Sequence, residues 1–91
     1  MANEQRIVHF SGNVQGVGFR WTARRTAGGF DVTGYVRNLP DGRVQCVAEG
    51  EAREIDAFLE ELQSRMAGHI RNVTQQKAPA SGGFAGFGVR Y

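Results

Sequence analysis

Gly12-Asn13-Val14-Gln15-Gly16-Val17-Gly18-Phe19-Arg20 is the stretch from which the fold can be read. Three glycines within seven positions allow positive φ and let backbone N–H groups approach a ligand. Just before it, Ile7 to Ser11 is short and apolar-rich, a strand with Val8 and Phe10 on one face. Just after it, Phe19, Ala23 and Ala27 recur at helical spacing, and Gly28-Gly29 closes that helix. A strand that enters a helix through a glycine loop delivers free N–H groups and the positive helix end to one point, the geometry of an anion site. Arg20 is out of place on local grounds, because a cation in the first turn opposes the helix dipole. An anion held there accounts for it, since a guanidinium forks onto two phosphate oxygens. The plainer alternative is a tight turn beside a solvated arginine, and spacing alone does not exclude it. A dinucleotide loop is excluded by Trp21, and a Walker loop by the lack of Gly-Lys-Ser/Thr. A cysteine-dependent phosphatase cradle is excluded because the loop has no cysteine.

Further along, Phe30 to Leu39 alternates, with Val32, Gly34, Val36 and Asn38 on one side and Asp31, Thr33, Tyr35 and Arg37 on the other. Pro40-Asp41-Gly42 turns this strand into the next, Arg43 to Glu49. Gly50 and Glu51 open a second helix, in which Ile55, Phe58, Leu59, Leu62 and Met66 form the apolar stripe and Gly68 ends it. Its acidic residues, from Glu51 to Glu61, read as a solvated face. Strands are expected from His69 to Lys77 and from Phe84 to Tyr91, with a loop over Ala78 to Gly83.

The order is βαββαβ with a short extra C-terminal strand. It predicts an α+β, ferredoxin-like sandwich, with two helices on one face of a mainly antiparallel sheet. A right-handed crossover makes the first two strands parallel, so both end at the same sheet edge. With the third strand inserted between them, those ends lie about 9–10 Å apart. Asn38 closes the second strand there, facing the same side as the helices, so topology carries it towards Arg20.

Composition bounds the rest. At 91 residues, the chain is expected to be one domain, 1–91, with a single modest core. Eleven basic against nine acidic residues, a net +2, demands no nucleic acid. Cys46 cannot form an internal disulfide and falls in an apolar strand, so a buried, inert thiol is expected. With no membrane-length apolar run and no signal-peptide pattern at Met1-Ala2-Asn3-Glu4, a cytoplasmic monomer without a membrane partner is expected. Neither His9 nor His69 has a partner at ligand spacing, and no metal cluster, cofactor motif or general base stands out.

A cradle, an arginine and an asparagine suit phosphoryl chemistry, which needs positioning and charge stabilisation more than covalent help. A carboxylate leaving group departs without a general acid, an amide can orient water, and the substrate phosphate can take the proton. Acyl phosphates fit such a site; phosphate monoesters, with an alkoxide to expel, do not.

The loop Gly12 to Arg20, together with Gly34-Tyr35-Val36-Arg37-Asn38-Leu39-Pro40-Asp41-Gly42, resembles the two signature motifs of acylphosphatases. Ala48-Glu49-Gly50 and Gly86-Phe87-Gly88-Val89-Arg90-Tyr91 extend the resemblance over essentially the whole chain. It implies metal-independent and cofactor-free hydrolysis of a small acyl phosphate to a carboxylate and inorganic phosphate. It assigns phosphate binding to Arg20 and the amides of Gln15, Gly16, Val17, Gly18, Phe19 and Arg20, and water orientation to Asn38. Phosphate or sulfate is the implied product-like ligand. Asn13 departs from the pattern, since the family often carries a basic residue there, and Ala67 to Gly83 matches less well. The side chains of Gln15 and Asn13 are open to two readings, contact with substrate oxygens or plain solvation. Trp21 is either a contact for the acyl group or packing. Two rival functions belong to other classes: a single-stranded RNA module, whose aromatic-rich motif Arg43 to Glu49 lacks, and a non-catalytic domain like those fused to carbamoyl-transfer maturation proteins.

Overall fold

The computed structural model describes residues 2–91, leaving Met1 outside. Its elements are β1 (Glu4–Gly12), α1 (Phe19–Ala27), β2 (Thr33–Asn38), β3 (Val44–Gly50), α2 (Ala52–Arg65), β4 (Ile70–Pro79) and β5 (Phe87–Arg90). The five strands form one sheet in the order β4-β1-β3-β2-β5. Every neighbouring pair is antiparallel except β2 and β5. This is the expected βαββαβ arrangement with its extra edge strand, and β3 does lie between β1 and β2.

Alternation in the strands decides which face is dry. Val8 and Phe10 of β1, Val36 of β2, and Val44, Cys46 and Ala48 of β3 are fully buried under the helices. Against them α1 presents Phe19, Ala23 and Ala27, while α2 presents Ile55, Phe58, Leu59 and Leu62. Phe10 and Phe19 meet with ring centroids 4.9 Å apart, so the start of α1 is anchored directly on β1. Cys46 is enclosed by this core, and burial pushes its thiol pKa up to about 12, which leaves it unreactive.

Several boundaries move from their expected places. β1 begins at Glu4 rather than Ile7, and β4 runs on to Pro79, because Glu4 to Arg6 pair with Lys77 to Pro79. β2 starts at Thr33 rather than Phe30, and α2 stops at Arg65, before Gly68. β5 is confined to Phe87–Arg90; Phe84 instead packs on Tyr35 across the other sheet face, with centroids 5.8 Å apart. The acidic face of α2 is not wholly solvated either. Asp56 accepts a 2.6 Å hydrogen bond from the buried Arg6, whose Nε also donates to Glu4.

On the face away from the helices, Glu49 is only 4% exposed. It accepts from the Ser81 N–H and hydroxyl (both 2.8 Å), the Gly82 N–H (3.0 Å) and the Gln5 amide (2.6 Å). That carboxylate ties the segment before β5 across the sheet. Gly86 then accepts from the Gly34 N–H at 3.0 Å, which starts the parallel pairing of β5 with β2.

Two stability outcomes follow from this packing. Gly34 has φ 140°, and a Cβ there would sit 1.8 Å from the Val47 carbonyl oxygen. Gly34→Ala is therefore expected to cost about 3 kcal/mol or more, read from urea midpoints, because backbone strain and overlap add. Burial alone would raise the Glu49 pKa, but the donors from Ser81, Gln5 and Gly82 outweigh it and hold the carboxyl below the usual carboxylate range. A depressed folded-state pKa contributes stability above the unfolded-state pKa and loses it as pH falls through the folded one. Glu49→Gln should thus lower the urea midpoint clearly at pH 7, with the gap to the parent closing below about pH 4.

Candidate active site

The loop between β1 and α1 is held at both ends and bare in the middle. At its start the Asn13 N–H donates to the His69 carbonyl at 2.9 Å, and Val14 is fully buried. At its end Phe19 is buried against Phe10. Between these anchors Gly16 (φ 76°) and Gly18 (φ 79°) are left-handed, a conformation that other residues adopt at a cost. A Cβ on either would meet nothing within 4 Å, so these glycines serve the backbone path and leave its surface uncovered. Among the described residues, no N–H from Gln15 to Trp21 donates to an acceptor in the chain; the first helical bond runs from Thr22 N–H to Gly18 O at 3.0 Å. Gly18 caps α1 without a side chain, and no acidic residue occupies the first turn. Uncommitted donors and the positive end of the helix dipole therefore share one small region.

A cleft of about 340 Å³ opens over this loop. Gly16, Gly18, Phe19, Arg20 and Asn38 all line it, so the structure brings the expected cation and amide to the same hollow. Among the described residues Arg20 has no carboxylate partner; its guanidinium lies over the Tyr91 ring, 4.8 Å from the centroid. Stacking on a ring face leaves the in-plane N–H donors free for an anion. Asn38 is half-buried at the end of β2, opposite Val44, and its side chain makes no hydrogen bond among the described residues.

Gln15 and Val17 stand apart from the cleft wall. The Gln15 amide donates to the Leu39 carbonyl at 2.8 Å and the Arg43 carbonyl at 3.0 Å, clamping the loop to the β2–β3 turn. Its side chain is a brace, a role that neither of the two readings from sequence included. Val17 packs against the core. Asn13 is exposed, and Trp21 is 63% exposed on the cleft wall with Arg25 over its ring at 5.1 Å. Trp21 is thus placed for contact with a ligand and does little packing.

The sequence reading missed Arg24, Val89 and Tyr91, which also line the cleft. Tyr91 and Val89 reach it only because β5 pairs in parallel beside β2, a long-range event without a local signal. Arg24 was legible as the residue one turn beyond Arg20 on the same helix face. His9 lies on the far sheet face near Gln45, and among the described residues no group of three or more His, Cys, Asp or Glu converges. No helix is long and apolar enough to cross a membrane.

With this geometry in hand, likeness to known proteins gains meaning. The model of the acylphosphatase family matches residues 6–89. An acylphosphatase from Rubrobacter xylanophilus is 45% identical over 84 residues, covering 91% of this chain and 76% of its own. The crystal structure of acylphosphatase from Bacillus subtilis superposes with a TM-score of 0.85 at 27% identity, over 97% of this chain and 99% of the other. T. kodakarensis HypF matches with a TM-score of 0.83 at 31% identity, over 97% of this chain but 12% of its own. The motif residues on one cleft, the sheet order and the length of these matches agree: the chain belongs to the acylphosphatase family, hydrolases acting on acyl phosphates.

Proposed function

We propose that the loop amides from Gln15 to Arg20 and the Arg20 guanidinium hold the phosphoryl group, that Asn38 orients the attacking water, and that no metal takes part. The observation that carries this reading is the meeting of Arg20, Asn38 and two left-handed glycines on one cleft, although they come from separate strand ends. Phosphoryl oxygens gather around donors fixed before the substrate arrives, which is where preorganised charge stabilisation acts most strongly. Asn38 can accept from water through its carbonyl oxygen and donate to it through its amide. The water oxygen bonds to phosphorus as the bond from phosphorus to the acyl oxygen breaks. The carboxylate leaves with the electron pair, and a phosphate oxygen of the substrate takes the water proton.

A second reading keeps the cradle without turnover, as one domain of a larger protein. The match to 12% of the HypF chain favours it. Phosphate binding with no hydrolysis of any acyl phosphate would select it.

Benzoyl phosphate is expected to be hydrolysed at an undiminished rate in EDTA, with inorganic phosphate as a competitive inhibitor. Activity lost to the chelator and restored by a divalent ion would overturn the metal-free mechanism. Arg20→Lys keeps the charge but not the fork, and should fall nearly as far as Arg20→Ala in kcat/KM. Folded Asn38→Ala should lose on the order of 10² in kcat while its phosphate inhibition constant moves within about three-fold. Normal turnover in that variant, or phosphate binding lost as fully as in Arg20→Ala, would refute the division of roles.

A further inference from the structure

Two guanidinium groups line the cleft, and phosphoryl binding as proposed above employs one. Arg24 stands one helical turn beyond Arg20, Trp21 shares the wall with both, and no Asp or Glu lines it. Trp21 and Arg24 also border a second hollow of about 240 Å³ with Arg25 and Gly28, so open space extends along α1 away from the cradle. Among the described residues, Arg6, Arg43, Arg53 and Arg65 each have a carboxylate within 4 Å, whereas Arg24 has none. A cation in the last turn suits the helix dipole. That accounts for a basic residue near the end of α1 but not for its place on the cleft; Arg25, in the same turn, lies over Trp21 instead.

We propose that Arg24 is a specificity-determining residue which recognises a second anionic group, a carboxylate or a phosphate ester, on the acyl part of the substrate. The proposal rests on Arg20 and the loop holding the phosphoryl group that is transferred. Side chains at i and i+4 leave a helix about 6 Å apart. A short acyl chain ending in a carboxylate matches that scale, and it passes Trp21 on the way out of the cradle. A wall with two arginines and no Asp or Glu side chain also raises the local concentration of doubly anionic ligands. Arg24 is exposed, so the gain is modest and falls with salt.

The test compares kcat/KM for succinyl phosphate and for butyryl phosphate, which replaces the terminal carboxylate with a methyl group, at low ionic strength. Arg24→Gln should lower the value for succinyl phosphate about 3–5-fold and leave that for butyryl phosphate unchanged. Arg24→Glu should turn the preference towards butyryl phosphate, and added salt should narrow the difference in the parent chain. Equal losses on both substrates would place Arg24 on the phosphoryl group, and no loss on either would make it a plain surface charge; each overturns the proposal. Those results leave the hydrolytic reading standing. Failure of the parent chain to turn over butyryl phosphate would sink both together.

Discussion

Because β3 runs between β1 and β2 and against both, those two strands point the same way and end at one edge of the sheet. The gap between their ends is about twice the interstrand spacing, roughly 9–10 Å. Everything in the site is arranged across that gap. The glycine loop leaves one bank and Asn38 closes the other. The gap could still close or splay, because β2 and the loop share no direct strand pairing. Gln15 sets its width, with one amide donating to two carbonyls of the opposite turn. Under the roles proposed for the loop and Arg20, a charged side chain would serve badly in that place, since an anion would repel substrate and a cation would compete with Arg20.

Patterns with short range were legible in the sequence. The apolar stripe of α2, the repeat at Phe19, Ala23 and Ala27, and the turn at Pro40-Asp41-Gly42 depend on neighbours within a few residues. So does the side of β2 on which Asn38 falls, since strand alternation is fixed by the backbone. What failed to show was polar and distant. Glu4 to Arg6 look like a polar lead-in to β1, yet they join the strand because Arg6 finds Asp56 on α2 and the backbone finds β4. Glu49 looks like an ordinary solvated acid, and becomes buried only once Ser81 and Gly82 fold across it. Nothing local distinguishes Gln15 the brace from Gln15 the substrate contact. The difference lies in carbonyls more than twenty residues away.

Seven of the arginines fall into two kinds of environment. Arg6, Arg43, Arg53 and Arg65 face carboxylates, so their charge is compensated within the protein. Arg20, Arg25 and Arg90 lie over the rings of Tyr91, Trp21 and Tyr35. An aromatic face steadies a guanidinium by dispersion and by its quadrupole while leaving the hydrogen-bonding edge unused. For Arg20 that distinction matters, because a carboxylate partner would occupy the fork that an anion needs. The same consideration explains how a chain of net charge +2 can present a cleft wall whose charged side chains are both arginines.

The start of α1 also shows what such a site costs in stability. A helix start with extended backbone and a serine, threonine or aspartate cap would accept hydrogen bonds from the first turn and gain a few tenths of a kcal/mol over glycine, but the left-handed φ of 79° at Gly18 does not suit such a cap. An acidic residue in that turn would add a few tenths more through the dipole. The chain has neither, and it places Arg20 where the dipole is unfavourable. Each omission leaves a donor uncommitted or a positive potential unscreened. Both are assets only when an anion is to be bound there. The compensation lies close by, in apolar contacts that place no polar group near the cradle. Val14 and Phe19 are buried on either side of the bare segment, and Phe19 rests on Phe10 of the central sheet. Burying two such side chains contributes several kcal/mol, about 1.5–3 each, which exceeds what the missing cap would have added. The loop can therefore keep its donors free and remain ordered, because its stability comes from side chains buried in the core.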